Sequence, residues 1–317
     1  MKPERRDLLC ERSVVMKPGR EITPEQVSGI FQEIKRSRPL VHMIPNAVSA
    51  ALCADGLAAL GARPLMAVEA REMAEITRQT DACVLNLGQP YAGKWEAAGI
   101  ILQEAAKHKK PLVLDPVGCG ASRYRLQSVQ KLLSLPWQGI VKGNRSEIYS
   151  IQQNCVTREG IDAVAEHKLA GQIPAGRVYL VTGKADTVLW SDKSLQLSYG
   201  REMSRCNLEG NGLQQEMSRY NIVGSGCLLG AVAGACYGVA GKETCRNAAD
   251  LQEAQFGQTD MPGMEVLAAV AASLGLAFAL EKAAQASGYG MAKLYLLDAL
   301  CRLDGQEFAG WLERNYP

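Results

Sequence analysis

Histidine is nearly absent, with three in 317 residues, and the ten cysteines are scattered without a C-x-x-C pair. That spacing excludes the common zinc sites. Charge of one sign is lacking as well: 35 Lys+Arg against 33 Asp+Glu leave a net charge of +2, too weak a field to draw a polyanion, so nucleic acid is not an expected partner. No basic start leads into an apolar run with a small-residue cleavage site, and a reduced, cytoplasmic protein without a disulfide framework is expected. No G-x-x-x-x-G-K-[ST] loop occurs, and the third glycine of a dinucleotide fingerprint beginning at Gly224 would be Leu229. Long apolar runs are few. Residues 222–241 carry no charge but are mostly Gly, Ala and Ser, with Gly226, Gly230, Gly234 and Gly238 in G-x-x-x-G spacing. Such a stretch has a weak transfer energy and reads as a helix buried on a sheet, not a membrane span; the shorter 266–280 reads as a second core helix.

Most of the chain shows a regular alternation. Residues 1–22 form a charged N-terminal extension expected to be flexible, and 23–317 are expected to form a single domain. Thr23-Pro24-Glu25-Gln26 supplies an N-cap hydroxyl, a first-turn proline and a capping-box glutamine, so a helix starts there. From Pro39 onward short β-type runs, PLVHMI, PLMAV, ACVLNLG, PLVLDPVG, GIVKGN, VYLVTG and TVLW, alternate with helix-length stretches. The alternation predicts an α/β fold with a mostly parallel central sheet and helices on both faces. Ligands of such sheets gather at the carboxyl ends of strands, where these runs meet Gly, Asn, Asp or Pro. Residues 191–221 break the rhythm and read as a surface loop, with a mobile flap near the site as the alternative. Amphipathic segments at 264–286, 290–303 and 306–315 are expected to cover one face of the sheet.

The strand ends carry the candidate chemistry. In NIVGSGCLLGAVAGA a turn at Gly224, Ser225 and Gly226 opens a helix at Cys227. Glycine lets bare backbone N–H groups approach a ligand, and a helix start favours an anion such as a phosphoryl group in transfer, although a plain tight turn before a core helix has the same sequence. VLDPVGCGAS ends a buried strand in Asp115, where magnesium phosphates would lie; Asp before Pro is also an ordinary turn former. GIVKGNRSEI brings Lys142, Asn144 and Glu147, with a capping box as the structural alternative for the last two. VYLVTGKAD ends a strand at Thr182 and Gly183.

Taken together, PLVHMIPN, ADGLAALGARPLMA, LVLDPVGCGAS, KGNRSEI, VTGKAD and GSGCLLGAV, in this order over residues 39–240, resemble the hydroxyethylthiazole kinases of the ribokinase-like superfamily. The resemblance implies a ribokinase-like α/β domain, assembled as a homotrimer with active sites between subunits. It also implies ATP- and Mg2+-dependent phosphorylation of the hydroxyl of 4-methyl-5-(2-hydroxyethyl)thiazole in thiamine salvage. By position it assigns Met66, Asn46 and Gly224 to the thiazole alcohol. Lys142, where the family carries arginine, goes with Thr182 and Asn144 to ATP, and Asp115 and Glu147 go to magnesium. Gly224, Ser225 and Gly226 form the anion hole, with Cys227 as a supporting base. A related kinase acting on another small alcohol, such as a hydroxymethylpyrimidine, and a homologue that binds ligand without turnover remain open as alternatives.

Overall fold

The computed structural model describes residues 22–157, 173–183, 185–197, 222–241 and 263–316, together with the strand Val14–Met16. Nine strands form one sheet: β1 (Val14–Met16), β2 (Leu40–Ile44), β3 (Arg63–Leu65), β4 (Ala82–Asn86), β5 (Leu112–Asp115), β6 (Gly139–Asn144), β7 (Arg177–Thr182), β8 (Asp186–Trp190) and β9 (Lys193–Leu197), in the order β1-β9-β8-β7-β6-β5-β4-β2-β3. From β3 to β7 every pairing is parallel, and β8 then runs antiparallel to both β7 and β9. The mostly parallel α/β sheet expected from the alternating runs is therefore present.

Helices cover both faces. On one lie α1 (Pro24–Ser37), α2 (Ala50–Leu60), α7 (Ser225–Val239), α8 (Met264–Ala283), α9 (Tyr289–Leu300) and α10 (Gln306–Asn315). On the other lie α3 (Met73–Gln79), α4 (Ala92–His108), α5 (Arg123–Leu133) and α6 (Arg145–Gln153). The two-residue period of the strands sorts their side chains between these layers. Val41, Met43, Val84, Val113 and Ile140 enter the first apolar cluster, whereas Ile44, Cys83, Leu85, Leu114 and Val141 enter the second. The α1 start is as the sequence predicts: Thr23 Oγ1 accepts from the Gln26 N–H at 3.3 Å, and Gln26 Oε1 accepts from the Thr23 N–H at 2.9 Å.

Three expectations need adjustment. The irregular stretch predicted from residue 191 begins with a strand, β9, because Trp190 pairs with Lys193 across a two-residue turn that holds Ser191 at a φ of 50°. The alternation in KSLQL was too short to register beside the polar residues that follow; residues 198–221 lie outside those described. Within the stretch read as an N-terminal extension, β1 pairs in parallel with β9; residues 1–13 and 17–21 are also outside those described. Helix α8 is apolar all round instead of amphipathic, since it is sandwiched between the sheet and neighbouring helices and buried along most of its length. It is long and apolar enough to cross a bilayer by length and composition, but 78% of its most apolar window is buried inside the protein.

Helix α7 lies on β2, β4 and β5 along its glycine stripe. A Cβ at Gly234 would run into the Val84 side chain, and one at Gly238 would sit 3.3 Å from Ala82 Cβ. Gly234→Ala is therefore expected to lower stability by about 1–3 kcal/mol through overpacking. Gly99, inside α4 with no atom within 4 Å of where a Cβ would stand, serves as the opposite case: Gly99→Ala is expected to raise stability by about 0.5–1 kcal/mol. Urea unfolding of the two variants measures both shifts.

Candidate active site

Parallel register aligns the strand ends. Asn86 of β4 stands beside Asp115 of β5, and Asn144 of β6 beside Thr182 of β7. Asn46 follows β2 by two residues. From these positions a continuous run of polar contacts crosses the sheet. Lys142 Nζ donates to Asp115 Oδ1 at 3.3 Å, and Asn86 Nδ2 donates to Asp115 Oδ2 at 3.0 Å. Asn46 Nδ2 donates to Asn86 Oδ1 at 2.9 Å and lies 3.2 Å from Cys227 Sγ. The remaining amide oxygen, Asn46 Oδ1, accepts from the Val48 and Ser49 N–H groups at 3.0 and 3.1 Å. Each asparagine is thus fixed in one orientation by its partners, since amide nitrogen only donates and amide oxygen only accepts.

The start of α7 sits over this run. Gly224, its N-cap, has a φ of 92°, and a Cβ there would stand 3.0 Å from Ser49 Cβ. Both the backbone conformation and the close approach of α2 call for glycine. A Cβ at Gly226 would be 3.5 Å from Lys142 Nζ, and one at Gly230 would be 3.4 Å from Asp115 Oδ2. Ser225 N–H donates to the Ile222 carbonyl and Leu228 N–H to that of Gly224, with no side-chain cap, so the Gly226 and Cys227 amides have no acceptor among the described residues. The turn, Lys142 and Asp115 share one place.

Asp115 is fully buried and Lys142 nearly so. Burial pushes the Asp115 carboxyl above the usual carboxylate range, against the pull of the Lys142 ammonium and with a further push from Glu147. Burial opposes the charge on Lys142, yet Asp115, Glu147 and Cys227 outweigh it and raise its pKa. The ammonium is the fixed positive charge of the site. Glu147 makes the capping box: its N–H donates to Asn144 Oδ1 at 2.9 Å, and its Oε2 accepts from the Asn144 N–H at 2.8 Å. Its Oε1 accepts from the Gly118 N–H at 2.7 Å, tying the DPVG turn after β5 to α6.

A carboxylate oxygen engaged by one N–H keeps a second lone pair, so the capping role leaves Glu147 able to accept from metal-bound water. Among the described residues no group of three or more His, Cys, Asp or Glu could hold a metal by itself. Two carboxylates at the carboxyl edge of the sheet would suit Mg2+, which keeps several waters and takes its other ligands from substrate phosphates, better than a metal held in an all-protein cage. The residues present fit that ion.

Of the remaining predicted residues, Thr182 Oγ1 donates to the Gly143 carbonyl at 3.5 Å at the end of β7. Met66, just past β3, packs against the first apolar cluster, and the Ala67 carbonyl beside it lies 3.0 Å from His42 Nε2. Neither Thr182, Met66 nor Ser225 joins the side-chain run described above. Three residues went unremarked in the sequence. Asn86 sits inside an apolar strand run, and only the register with Asp115 reveals its place. Lys94, on an amphipathic helix, reads as solvated but is 2% exposed. Arg145 opens α6; its side chain passes 3.8 Å from a Cβ position at Gly183, and its Nε is buried without a partner among the described residues.

The chain has relatives among known proteins. The model of the hydroxyethylthiazole kinase family matches residues 31–306. A hydroxyethylthiazole kinase of Vibrio parahaemolyticus is 30% identical over 293 residues, covering 90% of this chain and 96% of that protein. One from Exiguobacterium is 36% identical over 217 residues, 66% of this chain and 76% of its own. The solved hydroxyethylthiazole kinase of Pyrococcus horikoshii superposes with a TM-score of 0.66 at 28% identity over 88% of this chain and 93% of that one. A family match over residues 31–306 with relatives at 30% identity over nearly their whole length, and not the fold alone, identifies the chain as a member of the hydroxyethylthiazole kinase family.

Proposed function

We propose that this protein transfers the γ-phosphoryl group of ATP to the hydroxyl of 4-methyl-5-(2-hydroxyethyl)thiazole, with Mg2+, in thiamine salvage. The observation that carries the reading is the convergence of the Gly224–Cys227 turn with the Lys142–Asp115 pair in a chain of this family. Phosphoryl transfer passes through a loose transition state and depends on positioning and charge neutralisation more than on covalent help from the protein. The Gly226 and Cys227 amides and the Lys142 ammonium meet the charge on the phosphoryl oxygens. Magnesium, held through Asp115 and Glu147, would neutralise the β- and γ-phosphates. The alcohol oxygen bonds to phosphorus as the bond to the β–γ bridging oxygen breaks, and the alcohol's proton passes to Cys227 Sγ.

Asn46, Met66 and Gly224 line the acceptor side in this reading, with Thr182 and Asn144 on the nucleotide side. Arg145, beside Gly183 with an unpartnered Nε, offers the forked donor that Lys142, engaged by Asp115, does not. The proposal includes a cytoplasmic homotrimer with sites at subunit boundaries. Its support is apolar surface left around the turn: Val48 is 64% and Val223 58% exposed, and the Val223 N–H donates to Tyr289 Oη at 3.2 Å. Light scattering of the purified protein tests the assembly; a monomer at all concentrations removes it.

The activity test is magnesium-dependent formation of the thiazole phosphate beside a panel of alcohols that includes a hydroxymethylpyrimidine. Asp115→Asn and Glu147→Gln are expected to lower kcat/KM by about a hundredfold or more, the scale for removing one charge-stabilising group. Preferred turnover of another alcohol reassigns the acceptor, and ligand binding without any turnover leaves a binding protein. Cys227→Asp keeps a base at the same place and is expected to remain active, whereas Gly224→Val blocks the turn and pushes into Ser49. A folded but inactive Cys227→Asp would remove Cys227 from the mechanism.

A further inference from the structure

Lys94 breaks three local expectations at once. It lies in the first turn of α4, where the helix dipole disfavours a cation, and no acidic residue shares that turn. Its side chain is buried, and no carboxylate pairs with it among the described residues. Its ammonium instead donates to three backbone carbonyls, Gly88 at 2.6 Å, Pro45 at 2.8 Å and Asn86 at 3.2 Å. An ammonium has three N–H donors, so this cage saturates it. Violations of local rules of this kind concentrate at functional sites.

The carbonyls belong to the two strand-end loops that carry the central asparagines. Pro45 immediately precedes Asn46 at the end of β2; Asn86 and Gly88 flank the end of β4, where the Gly88 N–H donates to Asn86 Oδ1 at 3.1 Å. These loops share no ladder pairing at that level, since the β2–β4 register ends with Ile44 opposite Leu85. The ammonium adds a link between their backbones, beside the Asn46–Asn86 contact and the bond from the Ala47 N–H to Gln89 Oε1 at 2.8 Å. We infer that Lys94 acts as a tethered monovalent cation, tying the β2 and β4 end loops together so that Asn86 holds Asn46 and Asn46 meets Cys227. It is a positioning residue for phosphoryl transfer, acting through the two asparagines and touching neither substrate. Burial pushes its pKa down to about 8, opposed by the nearby Cys227 sulfur and reinforced by Arg125. A cation is retained there despite that penalty, which an apolar side chain would not incur.

This inference rests on the kinase reading, and its test separates the two. Lys94→Ala empties the cage, and ammonium chloride is the probe, with tetramethylammonium chloride, which has no N–H donors, as the ionic-strength control. We expect kcat for the thiazole alcohol to fall about 10–100-fold, the scale of a small misplacement of reacting groups, with a KM for ATP close to that of the parent. Added ammonium restores turnover at least severalfold and raises the Tm of the variant by mass action, while tetramethylammonium does neither and the parent protein is indifferent to both. Asn46→Ala in the same background adds less than its separate effect, because both changes release the same contact.

Undiminished turnover in Lys94→Ala overturns the inference. So does a loss that ammonium relieves no better than tetramethylammonium, or a rescued Tm without rescued turnover, which would make Lys94 a purely structural tie. If the alanine variant does not fold, Lys94→Gln, which keeps two N–H donors but no charge, is measured in its place: the inference expects reduced kcat at near-parental Tm, and parental kcat overturns it. If the parent phosphorylates no alcohol at all, the kinase reading fails, and the ammonium-dependent Tm still decides whether the cage holds a cation.

Discussion

The close approach of α7 to the sheet is the constraint on which the site depends. Gly226, Gly230, Gly234 and Gly238 recur every four residues and present one face of the helix to Lys142, Asp115, Val84 and Ala82 in turn. With side chains at these positions the helix would ride higher, and its amide-bearing start would leave the buried Lys142–Asp115 pair. Small residues therefore do two things here. They permit close packing along the helix, and they set the height of its amide-bearing start above the Lys142–Asp115 pair. Stability and chemistry share a single geometric requirement.

The charges beneath that turn are held by a network and not by an isolated ion pair. An ammonium and a carboxylate removed from water are strongly penalised unless their remaining donors and acceptors are met. Asn86 fills the second oxygen of Asp115, and Asn46 fills Asn86 in turn. These neutral amides keep the groups in position without adding charge, which suits a site that must receive the negative charge of a nucleotide. Preorganised dipoles of this kind need no rearrangement as the phosphoryl group moves. Glu147 shows the same economy, since one carboxylate caps α6, secures the DPVG turn through Gly118 and still keeps lone pairs to spare.

Much of this was legible in the sequence because β5 and β6 end in Asp and Asn, residue types that strands avoid, and β7 runs into a glycine directly after Thr182. Asp115, Asn144 and Thr182 mark the carboxyl edge of the sheet, and the small-residue turn before Cys227 marks the helix start. The capping boxes at Thr23 and Asn144 were written in four-residue patterns and formed accordingly. The loss of signal has a common cause. β9 is short and depends on a hairpin with β8, so its pattern alone was indistinct from the polar chain after it. Asn86 acquires its meaning from its neighbour in register, and pairing between strands separated by a helix is not a local property. Lys94 was hidden by the opposite error, since a charged residue on a helix is normally solvated.

Asn86 and Lys94 together explain why one-dimensional motifs under-describe a site of this architecture. A parallel sheet brings to one edge groups that are far apart along the chain, and each strand contributes only one or two residues. Motifs capture the residue that faces the ligand. The groups that hold it in place lie on adjoining strands and loops, and backbone carbonyls, which carry no sequence signature, can serve as their partners. The three carbonyls around Lys94 are such a case: only the side chain that meets them varies with sequence, and its function follows from the loops it joins. The same fold can therefore keep its small-residue turn while the support behind Asn46 changes, and with it how firmly Asn46 is held beside Cys227.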